Sequence, residues 1–386
     1  MLKSKLIRIT TVPVSLEKLL EGQLAFMKEH FLVTAVSSQS DKLKEYGEKE
    51  GVNVFPLELT RKITPYRDVK AVYRLVSYFR AENPTIVHTH TPKAGIVGMM
   101  AAYLARVPIR LHTVAGLPLM ETRGLKRFVL IVVERLTYKM ATHVYPNSKG
   151  LYEFILSKNM LPEAKLTVLG KGSSNGIDTA YFSREHYSDA EILAKKEAYN
   201  IPINDFVFLF VGRVVGDKGI NELVNAFSEL QKNQPNCTLL LVGPYETDLD
   251  PVLDVTRKEI STNPKINAIG YVQDVRPYFA MSDVLVFPSY REGFPNVVMQ
   301  AGAMKLPSIV SDINGCNEII AHEKNGLVIP PKDSKALQNA MLRVMQNELE
   351  RQLWGETSWQ IVCDRYKRSE IWQLILAEYR RLETKL

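Results

Sequence analysis

Two doubly wound, Rossmann-like α/β domains facing a central cleft are expected from three features of the chain. Short apolar runs alternate with segments of helical spacing along almost its whole length, the pattern of repeated strand–helix units around a parallel sheet. The alternation lapses at Leu166-Thr167-Val168-Leu169-Gly170-Lys171-Gly172-Ser173-Ser174-Asn175-Gly176, where a strand runs into small turn-forming residues, and then resumes. The 386 residues are too many for one typical domain and suit two, each able to bury a core. The first domain is placed at 1–172 and the second at 173–365, with a last helix from about 366 to 386.

Element by element, Leu6 to Thr11 reads as a strand, Ser15 as the cap of a helix with apolar positions Leu16, Leu19, Leu20, Leu24 and Met27, and Phe31 to Val36 as the next strand. Val52 to Phe55, a helix through Val69, Val72, Val76 and Phe79, then Thr85 to His88 and Ile109 to His112 continue the series. Ligands of such sheets bind beyond the carboxyl ends of the strands, and His88, His90 and His112 are placed at such ends. In the second half the strands are Phe206 to Val211, Thr238 to Val242, Ile266 to Ile269, Val284 to Phe287 and Ser308 to Val310. The tail from Ser369 carries Ile371, Trp372, Ile375, Leu376 and Tyr379 at helical spacing. Spacing alone leaves open which domain this helix covers.

Composition narrows the class. A 46% hydrophobic and 24% charged balance is that of an ordinary globular protein. No apolar run approaches the length of a bilayer span, and Phe128 to Val133 is cut off by Glu134 and Arg135. Met1-Leu2-Lys3-Ser4-Lys5-Leu6 leads straight into a strand with no signal-peptide core, so a cytoplasmic chain is expected. Three scattered cysteines, Cys237, Cys316 and Cys363, carry no CxxC, which argues against disulfides and structural zinc. The net charge of +7 suits anionic partners. Nucleic acid is set aside, because no zinc finger, RNP-like motif or basic run with interleaved aromatics occurs. His88 and His90 have the spacing of a metal pair but no third ligand nearby, so no metal is expected.

The most informative stretch is Tyr290-Arg291-Glu292-Gly293-Phe294-Pro295-Asn296-Val297-Val298-Met299-Gln300-Ala301-Gly302-Ala303, which follows the strand Val284 to Phe287 and turns helical after Pro295. An acid and two turn formers sit where free backbone N–H groups and the positive end of a helix would meet a phosphate. Gln300 lies about one turn further in. Upstream, Phe206 to Val211 runs into Gly212-Arg213-Val214-Val215-Gly216-Asp217-Lys218-Gly219. Two cations beside a glycine-bearing turn suit a diphosphate better than a neutral ligand. Asp312-Ile313-Asn314-Gly315-Cys316-Asn317-Glu318-Ile319 and Asn325-Gly326 complete a third polar strand end.

These blocks, with Asn175-Gly176-Ile177-Asp178 and Phe182 between the domains and His88-Thr89-His90 in the first, resemble the retaining glycosyltransferases of family 4 over nearly the whole chain. The resemblance implies the GT-B fold and transfer of a sugar from a nucleoside diphosphate, with no cofactor beyond that donor. It implies that Arg213 and Lys218 take the charge of the departing diphosphate without a metal, that Glu292 binds hydroxyls of the donor sugar, and that Gly212, Gly293 and the backbone of Phe294, Asn296 and Val297 face sugar and phosphates. Pro295 has no N–H to give but presets the first helical turn. The base is expected at the strand end holding Val272, and His112 near the donor sugar. The family usually has Glu where this chain has Gln300; an amide carbonyl still accepts from ribose hydroxyls. The last helix is implied to cross back onto the first domain.

On the acceptor side the resemblance points to Ser15, His88 and His90, although the first loop, Thr11 to Leu16, lacks the paired glycines many members carry there. Arg123-Gly124-Leu125-Lys126-Arg127 ahead of Phe128 to Ile131 could lie on anionic lipid and meet a polyprenyl-diphosphate-linked sugar or glycan, at the inner face of the plasma membrane. A helix packed on the sheet with a solvated basic turn is the alternative. A UDP-hexose or UDP-N-acetylhexosamine is the expected donor, for surface polysaccharide synthesis. Two other readings stand beside it: a UDP-sugar 2-epimerase, for which no carboxylate set from both domains is identified, and a catalytically silent nucleotide-sugar-binding subunit, suggested by Gln300.

Overall fold

The computed structural model describes residues 3–60, 62, 64–117, 119, 122, 124–246 and 250–386. The chain forms two units, one of residues up to Gly176 together with Arg368–Leu386, the other Ile177–Lys367.

The first unit is a six-stranded parallel sheet of β1 (Lys5–Ile9), β2 (Leu32–Ser37), β3 (Asn53–Pro56), β4 (Ile86–His90), β5 (Ile109–Val114) and β6 (His143–Pro146), in the order β3-β2-β1-β4-β5-β6. Its central strands β1, β4 and β5 are buried on both faces, as parallel strands flanked by helices must be, while the edge strand β3 is only partly covered. Side chains alternate faces: Ile7, Ile9 and Val87 join the cluster under the helices Pro65–Glu82, Pro92–Leu104 and Gly124–Met140, while Leu6, Val33 and Ile86 join the opposite one. Ile371, Ile375, Tyr379 and Leu382 of the last helix, Arg368–Glu383, complete that second cluster, each apolar side chain removed from water being worth roughly 1.5–3 kcal/mol.

The second unit repeats the plan with β7 (Phe206–Val211), β8 (Cys237–Val242), β9 (Ile266–Gly270), β10 (Val284–Phe287), β11 (Ser308–Ser311) and β12 (Gly326–Ile329), ordered β12-β11-β10-β7-β8-β9. In each sheet the order reverses beside the first strand, between β1 and β4 and between β7 and β10. Crevices open at such switch points, outside the carboxyl ends of the strands.

Several expectations change. Ser15 is not a cap: Val12 takes that place with extended backbone and Pro13 opens the helix Pro13–Leu19, leaving Ser15 inside its first turn. The helix read through Met27 is two helices, parted where Gly22 turns to φ 72° before Gln23–Lys28. In Pro65–Glu82 the buried line is Ala71, Leu75 and Phe79, and Val69 is exposed. Pro295 is the cap residue and not the first helical position, which is Asn296. The strands of the first unit run on past the expected ends, so His88 and His112 lie within β4 and β5 and only His90 closes its strand.

Candidate functional site

The site of the second unit is assembled from three loops at adjacent strand ends. After β7 the chain passes Gly212 and Arg213, makes a single 3-10 turn at Gly216–Lys218 and enters the helix Ile220–Gln231 through Gly219. Gly219 is required: its φ is 73°, and a Cβ there would fall 2.1 Å from the carbonyl oxygen of Pro288. That close approach seats the end of β7 against the end of β10.

From β10 the chain runs through Ser289 to Pro295 into the helix Asn296–Ala303. The Tyr290 N–H donates to Asp217 O at 2.9 Å, and Arg291 Nη2 donates to Asp217 Oδ2 at 2.9 Å. Lys218 Nζ donates to Glu292 Oε1, and Ser289 Oγ donates to the same oxygen at 3.1 Å. Lys218 and Glu292 are only 16% and 17% exposed, so both charges are held in place rather than swinging in solvent. Glu292 Oε2 takes no hydrogen bond among the described residues and is left to accept from a ligand.

The third loop, after β11, fixes the second. Asn314 Nδ2 donates to the carbonyl oxygens of Glu292 and Gly293, both at 2.9 Å. Gly315, at φ 77°, brings its backbone so near that a Cβ would lie 2.5 Å from Gly293 O. Cys316 follows, and its burial pushes the thiol well above its ordinary range, with the Glu292 carboxylate adding to the effect. Asn314, Ser289 and Asp217 were missed as site residues. Asn314 and Asp217 stood inside quoted motifs, but nothing local told that their side chains face the Glu292 loop.

Of the other residues, Phe294 is buried edge-to-face against Tyr366 at 5.2 Å, so only its backbone borders the loop. Val297 packs on the core and Gln300 is half-buried one turn inside the helix. Arg213 pairs with Glu246, in the loop after β8. Val272 follows β9 at the sheet edge, two strands from β7. The structure thus brings Lys218, Glu292, Gly293 and the start of the Asn296–Ala303 helix together and sets Arg213 and Val272 to one side.

In the first unit the three histidines are buried. His112 Nδ1 bonds Thr89 Oγ1 at 2.8 Å, and a Cβ on Gly95 would meet its ring at 2.6 Å. Burial pushes His112 down to about 4, so its imidazole is neutral at pH 7. His88 uses both ring nitrogens inside the protein, with Tyr379 Oη at 2.5 Å and Thr113 Oγ1 at 2.8 Å. That leaves it no lone pair for a metal or a substrate. His90 is stacked on His88 with centroids 4.4 Å apart, buried, and among the described residues neither of its nitrogens has a hydrogen-bond partner. Ser15 is half-buried. At the β1/β4 switch point Thr91 holds φ 76°, an outlier for a β-branched residue, and its Oγ1 lies 2.8 Å from Thr11 Oγ1.

The comparisons with known proteins agree on one class. The glycosyl transferases group 1 model matches residues 191–360, and the glycosyl transferase 4-like domain model matches 14–172. The chain is 32% identical over 381 residues to the capsular polysaccharide biosynthesis glycosyltransferase CapM of Staphylococcus aureus, covering 98% of this chain and 97% of that one. It is 28% identical to a UDP-Gal:alpha-D-GlcNAc-diphosphoundecaprenol alpha-1,3-galactosyltransferase of Escherichia coli, over 83% of this chain and 82% of that one. In fold it is similar to HepE of Anabaena, solved with UDP, at a TM-score of 0.82 and 17% identity over 98% of this chain and 100% of that one.

Proposed function

The chain belongs to the glycosyl transferases of group 1, and on that footing we propose that it moves a sugar from UDP, as a UDP-hexose or UDP-N-acetylhexosamine, to a lipid-linked glycan in surface polysaccharide synthesis, with retention at the anomeric carbon. The observation that carries this reading is the Lys218–Glu292 pair held at the β7/β10 switch point by Ser289, Asn314 and the Gly219 turn.

As the anomeric carbon–oxygen bond breaks, negative charge grows on the diphosphate. Lys218 supplies a fixed ammonium, and Arg213 a guanidinium once the diphosphate replaces Glu246 as its partner; backbone donors at the start of Asn296–Ala303 add to them. That set needs no metal. Glu292 Oε2 accepts from a sugar hydroxyl, Gln300 from the ribose, and the loop at Val272 borders the base. The neutral His112 offers its second nitrogen to a sugar hydroxyl. Attack comes from the face the leaving group departs, and a donor phosphate oxygen takes the acceptor's proton, so no protein nucleophile is required. The undecaprenol-linked acceptor of the Escherichia coli relative supports a lipid-linked acceptor here.

A membrane-facing surface supports the same acceptor. Among the described residues no helix is long and apolar enough to cross a membrane. The helix Gly124–Met140, however, buries Glu134, Thr137 and Tyr138 and exposes Leu125, Phe128, Val129, Val132 and Leu136 beside Lys126 and Arg127. An apolar outer face with flanking cations suits the headgroup boundary of an anionic leaflet. Arg123 of that basic turn lies outside the described residues. We read the protein as working at the cytoplasmic face of the plasma membrane.

The test is a thermal-shift panel of nucleotide sugars followed by NMR of the product. One nucleotide sugar should stabilise the chain well above the others, and the new linkage should keep the donor's anomeric configuration. An inverted linkage would overturn the mechanism, and an epimerised donor the reaction class.

A further inference from the structure

We propose that the groove over the carboxyl ends of β1, β2 and β3 is an anion site for the phosphate-bearing end of the acceptor, a sugar diphosphate, gripped by Arg67, Lys70 and Arg74. This rests on the transferase reading, which requires an acceptor but assigns it no such residues.

The groove encloses about 680 Å³, within the range of sites that hold a small ligand. Its floor is made by the loops after β1, β2 and β3, and one wall by the first half of the helix Pro65–Glu82. Arg67, Lys70 and Arg74 fall at i, i+3 and i+7 of that helix, hence on one face. Among the described residues lining the groove, the one carboxylate facing them is Glu58. The nearby Asp68 is taken by Lys93 at 2.5 Å and Thr64 at 3.0 Å. Among the described residues neither Arg67 nor Lys70 has a carboxylate partner, while Arg74 is anchored by donating to Pro56 O at 3.4 Å.

Three like charges along one wall repel one another, and an isolated helix gains nothing by the arrangement. A diphosphate relieves the repulsion and accepts charge-assisted hydrogen bonds from guanidinium and ammonium together. The rim adds a second signal. Tyr66 is 85% exposed beside these cations, a ring with no packing role that offers its apolar face to a sugar. Gln39 and Thr60, also lining the groove, give amide and hydroxyl partners for sugar hydroxyls. The β1/β4 switch point borders the same edge.

Inorganic pyrophosphate is the probe, measured by calorimetry at low salt in an Arg213→Ala/Lys218→Ala background so that binding in the second unit does not contribute. Adding Arg67→Gln and Lys70→Gln should weaken pyrophosphate about tenfold or more, the scale of one or two lost charge-assisted bonds, with Arg67→Lys close to the background value. In otherwise wild-type protein the Arg67→Gln/Lys70→Gln pair should leave UDP binding intact and raise KM for a diphosphate-linked acceptor more than kcat falls. Unchanged pyrophosphate affinity overturns the proposal. So does displacement of pyrophosphate by phosphatidylglycerol vesicles, which would assign the charges to lipid headgroups. Loss of UDP binding in wild type with the groove still binding pyrophosphate would sink the donor-site reading and leave this one standing.

Discussion

Glu292 and Lys218 lie 74 residues apart in the chain and share a hydrogen bond. A pair so placed has a double task. The ammonium aligns the carboxylate through one oxygen and, in the proposed reaction, projects its charge toward the bound diphosphate. Lys218→Ala therefore removes both a transition-state donor and the anchor of Glu292, and kcat/KM should fall at least about a hundredfold, near 2.7 kcal/mol. Glu292→Ala should produce a loss of similar order, and Asn314→Ala a smaller one, because it frees the loop without removing a donor-contacting group. Steady-state kinetics on purified variants checks this; rates like wild type in both Glu292→Ala and Lys218→Ala would remove the assignment. The residues of this loop were legible from their types and order after a strand. Their mutual contacts were not, since each hydrogen bond joins loops far apart in the chain.

Helices make the next contribution, and two of them show how misleading a local pattern can be. Gly124–Met140 has apolar residues in plenty, yet it turns several of them outward and buries Glu134, which burial raises to about 7. Leu125→Ser with Phe128→Ser should leave the thermal midpoint nearly unchanged, because both side chains are exposed, while lowering retention on phosphatidylglycerol liposomes. Wild-type retention by this variant would end the membrane-contact proposal. The last helix, Arg368–Glu383, shows the reverse: its apolar spacing was plain, but its polar anchor was not. Tyr379 donates to His88 or accepts from it at 2.5 Å and receives Arg8 Nη1 at 2.8 Å. Arg8 is fully buried in β1 with Gln23 as its other partner. Tyr379→Phe strips a hydrogen bond from a buried cation and should cost about 1.5–3 kcal/mol in urea unfolding.

Across the molecule, acid sensitivity should be concentrated in the first unit. His88, His90 and His112 are all held below the ordinary 6.5 by burial, with Arg8 opposing protonation of the first two and Tyr145 and Tyr379 packed nearby. The native state keeps these rings neutral, whereas the unfolded chain takes up protons below 6.5. Unfolding then binds protons, so stability is complete above about 6.5 and declines as pH falls toward 4, by up to about 1.4 kcal/mol per pH unit for each histidine. Urea titrations at pH 7.5 and pH 5 should show that decline, and His112→Gln should make it shallower. Glu134, raised to about 7 by burial, works in the opposite sense over part of this range, so the variant decides: a decline as steep in His112→Gln as in wild type would mean that the His112 ring is charged in the native state.

What the chain announces on its own is local. Apolar runs of strand length, glycines where a turn needs positive φ, and polar residues just past a strand end follow from side-chain size and backbone sterics within a few residues, and they were enough for two doubly wound domains and the Glu292 and Lys218 loops. Strand order, and with it the identity of each polar group's partner, is not local. Only after β4 takes its place beside β1 does His88 meet Tyr379, and only after β10 lies beside β7 does Glu292 meet Lys218. The acceptor-side histidines read from the sequence became buried for that reason, while the spacing of Arg67, Lys70 and Arg74 is local to one helix and only the loops after β1, β2 and β3, brought together by strand order, make a groove beside them.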